Sequence, residues 1–301
     1  MRFAVASSSI LALPSIVKLQ DSGHQFVGLI TKPDLPRGRG RILEENELAV
    51  KMQELGHRIE KPGNDAELAE SLKSLDPEIV ITISYGKLVK ANELRLPRFG
   101  WINLHFSLLP KYRGAAPVQW SIMNGEPFAG VTVFRLDQGM DTGPILVTAS
   151  RKMNMDETTG ELLQELADLG AGIMDEALEK ISNGDLGKPQ ESNGSLAPKI
   201  TKDVARIDWE KSAIEIERLI RAMAPTPGAW TTLENERFRI FKGKVIVGKG
   251  RPGEIMNCDP LIVATKQGLL EINEVQIEGK RRMSASDWQR GARVTVGTFF
   301  E

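Results

Sequence analysis

The chain has 301 residues, 41% of them hydrophobic, with a formal net charge of −1 and a pI near 6.4, which is enough for two packed domains and gives no overall field to recruit nucleic acid or an anionic membrane. The single cysteine, Cys258, excludes an intramolecular disulfide and a cysteine-rich metal site and fits a reducing compartment, so the cytoplasm is the expected location. No stretch approaches the ~20 uninterrupted apolar residues of a membrane span, and no metal is expected.

In chain order, residues 1–19 carry Arg2 and then a mostly apolar run, a pattern shared with signal peptides. Ser7-Ser8-Ser9 and Pro14 interrupt it, so it reads as a buried strand, Arg2–Ala6, a turn and a crossover helix over 10–20. Strand-like runs follow at 25–31, 78–83, 101–104 and 131–136. Helical spacing separates them at 44–55, 66–75, 116–123 and 158–181. This alternation predicts βαβ units, hence an α/β, Rossmann-like, mostly parallel sheet. From 184 to 205 the pattern dissolves into Gly, Lys, Pro, Asn and Ser, a linker composition. Beyond it 207–223 is helical, and 230–233, 237–246, 261–265 and 269–277 alternate at strand period, which predicts a small, OB-like antiparallel barrel. The expected domains are 1–188 and 206–301, joined by a linker over 189–205. From Ala205 onward about 16 Lys and Arg stand against about 13 Asp and Glu, so the second domain is slightly basic and the first slightly acidic.

Chemistry concentrates at the end of the fourth strand. Asn103 and His105 lie two apart and therefore share one strand face, where parallel sheets place their ligands, and Asp141 downstream in Asp-Thr-Gly is able to orient the imidazole. His24 and His57 follow glycine-containing turns and read as polar residues at element ends. An amide, an imidazole and a carboxylate without an evident nucleophile suit acyl transfer from an external donor to an external amine. Asn103 Nδ2 and a His105 imidazolium, favoured by Asp141, would donate to the tetrahedral oxyanion. Ser107 lacks the Gly-x-Ser-x-Gly elbow of an acyl-enzyme serine and reads as a turn residue or a backbone contact to ligand.

Asp141-Thr142-Gly143 also spells an aspartic protease motif, but no second copy exists to share a proton with it. Gly38-x-Gly40 lacks the third glycine of a dinucleotide loop. Interleaved with Arg37, Arg39 and Arg41, those glycines make a mobile cationic loop suited to phosphates, against the plainer reading of a solvated basic loop. Arg237, Arg239, Lys242 and Lys244 alternate with Phe238, Ile240 and Phe241. An amphipathic strand explains them, and the basic character of its wet face points to nucleic acid. Trp209, Trp230 and Trp288 read as packing residues.

The run Asn-Leu-His-Phe-Ser-Leu-Leu-Pro-Lys-Tyr-Arg-Gly-Ala-Ala-Pro from Asn103, with Gly130-Val131-Thr132 and Met140-Asp141-Thr142-Gly143, resembles the 10-formyltetrahydrofolate-dependent formyltransferases. Thr31-Lys32-Pro33-Asp34 leading into Gly38–Arg41, Ser84-Tyr85-Gly86-Lys87-Leu88, and Ala205-Arg206-Ile207-Asp208-Trp209 extend the resemblance over nearly the whole chain. Within the family they resemble the members whose acceptor is initiator methionyl-tRNA. The resemblance implies 10-formyltetrahydrofolate as formyl donor and Asn103, His105 and Asp141 as catalytic residues. It further implies that Ser107, Leu108, Leu109, Pro110, Tyr85, Gly86 and Leu88 contact the folate. Arg37, Arg39 and Arg41 would meet the acceptor end, with Arg237, Arg239, Lys242 and Lys244 as further tRNA contacts. A monomer is expected. The chain departs from the family at Ser7-Ser8-Ser9, where Gly-Thr-Pro-x-Phe is usual. Two rival functions are formylation of a sugar-nucleotide amine with the same residues, and a non-catalytic RNA-binding protein on this scaffold.

Overall fold

The computed structural model describes residues 1–37, 42–292 and 294–301. The chain divides into two compact units, the first formed by Met1–Pro117, Phe128–Lys152 and Leu163–Pro198, the second by Val118–Pro127, Met153–Leu162 and Lys199–Glu301. Residues 118–127 and 153–162 thus belong with the second unit, and 189–198, expected to be linker, with the first.

The first unit is built on seven strands: β1 (Arg2–Ala6), β2 (Gln25–Ile30), β3 (Ile59–Glu60), β4 (Ile79–Thr82), β5 (Trp101–His105), β6 (Phe128–Arg135) and β7 (Ile145–Lys152). Their order is β7-β6-β5-β4-β1-β2-β3, parallel from β3 through to β5 and antiparallel at β6 and β7. The strand β7 has no counterpart among the sequence expectations. Helices α1 (Leu13–Asp21), α2 (Glu47–Glu54), α3 (Asp65–Leu75) and α4 (Thr159–Ser182) punctuate the strands. Central strands covered on both faces carry unbroken apolar runs, and Phe3, Ala4, Val5 and Ala6 are all fully buried. Helix starts follow the local chemistry: the Asn46 and Asn64 side chains accept from the amides of Ala49 and Glu67, each at 3.0 Å. Asp76 ends α3 in the left-handed region at φ 47°.

The serine turn after β1 supplies its own hydrogen bonds. The Ser9 amide donates to Ser7 Oγ at 3.1 Å, Ser8 Oγ meets Thr31 Oγ1 at 3.1 Å, and Ser9 caps the short turn Ile10–Ala12. Strand order reverses between β1 and β4, so the carboxyl ends of β4 and β5 lie beside the topological switch point where such sheets bind ligands.

The second unit contains α5 (Ala213–Met223), opened by a reciprocal Ser212–Glu215 capping box, and α6 (Ala285–Gly291). Its sheet runs β8 (Ala229–Leu233), β9 (Glu236–Ile246), β10 (Ile255–Cys258), β11 (Leu261–Ala264) and β12 (Leu269–Ile277) in the order β8-β9-β12-β11-β10, antiparallel throughout. β8 and β10 do not pair with each other. The chain's last residues bridge them: Glu301 exchanges amide and carbonyl bonds with Thr232 at 2.9 and 3.1 Å, while Phe300 donates to Gly253 O at 2.9 Å and Ile255 donates to Thr298 O at 2.8 Å. The expected barrel is therefore completed by a tail with no strand signature of its own.

Candidate active site

His105 is the last residue of β5, and its neighbour Leu104 turns the other way, against Gly170 of α4. Asn103 and His105 accordingly share the opposite face. Asn103 is fixed from β4, whose Thr82 hydroxyl donates to its Oδ1 at 2.7 Å. The other end of the amide, Nδ2, is a donor.

His105 is 5% exposed. Its Nε2 lies 2.9 Å from the carbonyl oxygen of Tyr112; a carbonyl only accepts, so Nε2 carries the proton. Its Nδ1 faces Asp141, 3.8 Å from Oδ2, and in the neutral ring that nitrogen holds the lone pair. Burial pushes the His105 pKa below its ordinary value, and the opposing effects of the Asp141 carboxylate and the Tyr112 carbonyl do not restore it. The sequence suggests a resting imidazolium from the nearness of Asp141. The structure favours the neutral ring, because desolvation outweighs that one carboxylate.

Asp141 sits at φ 55° and accepts from the Gly114 amide at 2.8 Å through Oδ2. The glycine of Asp-Thr-Gly has a steric reason: a Cβ on Gly143 would run into the carbonyl oxygen of Arg135. Upstream in the same loop, Asp137 accepts from Thr142 Oγ1 at 2.8 Å and from the Gly139 amide at 2.9 Å.

The turn after His105 is held by Thr132, whose hydroxyl donates to Ser107 O at 2.7 Å and accepts from the Leu109 amide at 3.1 Å. Ser107 Oγ donates to Lys111 O at 2.6 Å, which suits a turn residue and not a nucleophile. Leu109 is 6% exposed, so its side chain belongs to the core, whereas Leu108 and Pro110 are half-buried.

Of the other residues expected near the folate, Tyr85 departs most. It lies in the cluster of Ala4, Ala6, Leu68, Leu72 and Trp101, where burial lifts its phenol to about 12. It packs instead of presenting its ring. Gly86 and Leu88 follow it on the loop leaving β4, and Leu88 is 69% exposed.

Arg37 ends a short strand, Leu35–Arg37, paired antiparallel with Ile42–Glu44; residues 38–41, Arg39 and Arg41 among them, lie outside the described residues. In the second unit one extra residue on β9, Phe241, brings Arg237, Arg239, Lys242 and Lys244 to one face although their numbers change parity, and a second irregularity lies on the partner strand β12 at Asn273. That face is less purely basic than its sequence implies: Lys242 pairs across the sheet with Glu274 and Lys244 with Glu271. Trp230 is on it, with the Arg237 guanidinium 4.0 Å from its ring centroid and Arg206 at 5.6 Å. Trp209 and Trp288 do pack as expected, against Phe300 and Phe238. His24 bonds Asp175 at 2.8 Å and His57 meets the Phe26 ring edge-on, both structural roles.

The residues that position the site were mostly missed by sequence reasoning. Thr82, Gln190 and Ser195 act through a hydroxyl or an amide that no spacing marks; Tyr112 and Thr132 stand inside recognisable motifs, but neither motif marks the carbonyl or the hydroxyl that each contributes.

The chain matches the family model described as formyl transferase over residues 1–178 and that described as formyl transferase, C-terminal domain, over 199–293. It is 40% identical over 306 residues to a protein of Salinispora arenicola named methionyl-tRNA formyltransferase, covering 99% of both chains. Among solved structures it resembles HypX from Aquifex aeolicus in complex with tetrahydrofolic acid, at TM-score 0.69 and 17% identity over 99% of this chain and 50% of that one. It also resembles WlaRD, a sugar 3N-formyl transferase, at TM-score 0.66 and 20% identity over 93% of this chain and 99% of that one.

Proposed function

Because the chain belongs to the formyl transferase family along both of its halves, we propose that it transfers the formyl group of 10-formyltetrahydrofolate to the amino group of initiator methionyl-tRNA. One observation carries the chemistry. His105 Nε2–H is committed to the Tyr112 carbonyl, so Nδ1 is the position of the ring that exchanges a proton, and it is neutral and faces a carboxylate. Such a nitrogen is a base for an attacking amine.

Asn103 Nδ2, its amide anchored by Thr82, donates to the formyl oxygen as negative charge develops there. The amine nitrogen forms its bond to the formyl carbon and becomes cationic. His105 Nδ1 takes one of its protons, and Asp141 stabilises the resulting imidazolium. The imidazolium returns that proton to N10 of the folate as the carbon–N10 bond breaks, so atoms and charge balance without a covalent enzyme intermediate. For the donor's planar ring, the exposed Leu88 and the Gly86 backbone are offered by the loop leaving β4, the strand whose Thr82 pairs with Asn103. Ser107 to Pro110, held by Thr132, provide further backbone for it.

Full-length identity to a protein of that name supports the tRNA acceptor over a sugar-nucleotide amine, since the sugar formyltransferase resembles this chain only at a level where fold alone is shared. Arg37, Arg39 and Arg41 and the β9 face are the proposed tRNA contacts. No described helix is long and apolar enough to cross a membrane, and a cytoplasmic monomer is the proposed state. The deciding experiment is a formyl-transfer assay in which the purified protein is offered 10-formyltetrahydrofolate with charged initiator tRNA or with a sugar-nucleotide amine. Turnover of the charged tRNA alone is expected; turnover of the sugar amine alone would replace this reading.

A further inference from the structure

The segment after α4 has the composition of a linker, yet it is bonded to the catalytic loops. Gln190 Nε2 donates to the carbonyl oxygens of both Asp141 and Gly143, at 2.9 and 2.8 Å. Its Oε1 accepts from Arg113 Nε and Nη2 at 3.0 and 2.7 Å. Both amide hydrogens and both lone pairs are thereby used, and the reversed amide would set oxygen against two carbonyls and NH2 against a guanidinium, so the network itself fixes the orientation. A few residues on, Ser195 Oγ accepts from the Tyr112 amide at 2.9 Å, and Leu196–Ala197 pair in parallel with Arg113–Gly114. Gly114 sits at φ 124°, where a Cβ would come 2.7 Å from Ala197 O.

Each of these anchor points leads to the catalytic groups. Asp141 is the residue whose carbonyl Gln190 holds, Gly114 is the amide that Asp141 Oδ2 accepts, and Tyr112 supplies the carbonyl that fixes the His105 tautomer. We propose that Gln190 is a positioning residue for formyl transfer: it clamps the Asp141 loop to Arg113 and so sets the carboxylate against His105 Nδ1. The inference rests on the reading of His105 and Asp141 given above. Every hydrogen-bonding position of the Gln190 amide is taken by a protein group, so it acts through Asp141, and a displacement of that carboxylate by as little as ~1 Å is enough to cost ~10²-fold.

Two nearly isosteric substitutions separate the clamp from mere packing. Gln190→Glu keeps the length and keeps an acceptor for Arg113, but turns the donor end toward two carbonyls as an acceptor. Gln190→Met keeps the volume and removes all four bonds. With folding checked by circular dichroism and thermal melting, both variants are expected to lose ~10- to 10²-fold in kcat with KM for either substrate within about twofold of wild type. In both, an NMR titration should place the His105 pKa below that of the wild type, because the carboxylate that raises it has moved. If Gln190→Glu keeps wild-type kcat and an unchanged His105 pKa, the proposal is overturned, since anchoring Arg113 would then be the whole role. An Asp141→Asn control run beside them separates the two readings: if that variant is fully active, it is the catalytic assignment that fails.

Discussion

A base that must take a proton from an amine has to be neutral when the amine arrives, and at His105 burial supplies that condition more strongly than its two polar neighbours oppose it. The sign is definite. Protonation of Nδ1 inactivates the base, so kcat/KM is expected to fall on the acid side of the profile, with a midpoint below the ordinary histidine value of ~6.5. Asp141→Asn removes a cause that raises the pKa; the acid limb should move to still lower pH while kcat falls, and a limb shifted upward would remove Asp141 from this role. Asn103 is the second residue-level test. Asn103→Ala is expected to reduce kcat by ~10²- to 10³-fold, as loss of an oxyanion donor does. Thr82→Val, which leaves the amide present but no longer anchored, should produce a smaller loss of roughly tenfold; single-turnover kinetics at saturating donor would show both.

Among the elements, the second unit's sheet depends on its last four residues. Phe300 is 3% exposed, stacks on Trp209 at 5.6 Å and meets Phe238 at 5.1 Å, while its backbone bridges toward β10. Phe300→Ala is therefore expected to destabilise by ~3–5 kcal/mol, measurable as a lower denaturation midpoint at unchanged slope; a loss under about 1 kcal/mol would mean that the tail merely rests on the sheet. Nothing in Thr298-Phe299-Phe300-Glu301 distinguishes a closing strand from a ragged end, so this part of the fold was not legible. What was legible follows from period. Asn103 and His105 were placed on one face because strand alternation leaves no choice, and β1, α3 and α4 stand within a residue or so of their expected limits. Where period breaks, reading stops: the extra residue Phe241 on β9 inverts the parity of Lys242 and Lys244, and β7 reads as mixed because Ser150, Arg151 and Lys152 dilute its apolar start. The resemblance implies a folate contact for Tyr85, whereas its burial is decided by side chains far away in sequence, such as Ala4 and Trp101.

For the molecule as a whole, a net charge of −1 means that any attraction for a polyanion is local. The β9 face brings four cations together, and its members are unequal. Lys242 and Lys244 stand across from Glu274 and Glu271, and Glu274 is further engaged by Arg282 at 2.7 Å. Arg237 and Arg239 face Trp230 and Gln276 instead. The pair Arg237→Ala and Arg239→Ala is expected to weaken tRNA binding and to flatten its salt dependence, by ~0.7–0.9 in log–log slope for each phosphate that is no longer neutralised. The pair Lys242→Ala and Lys244→Ala should change the slope less. Equal slopes from titrations between roughly 50 and 200 mM salt would show that the opposing carboxylates do not matter.

The clamp formed by Gln190, Ser195 and Ala197 also bears on where the chain can be divided. Asn103, His105 and Asp141 are all present in a fragment ending at residue 188, and the seven-strand sheet that carries them is complete there. The bonds to the carbonyls of Asp141 and Gly143 and to the amides of Tyr112 and Arg113 are not, because their partners come later in the chain. During synthesis, therefore, the groups proposed to react are made well before the segment that holds them in register, and a nascent chain released short of residue 190 would carry every proposed catalytic side chain without the bonds that hold the Asp141 loop and Tyr112.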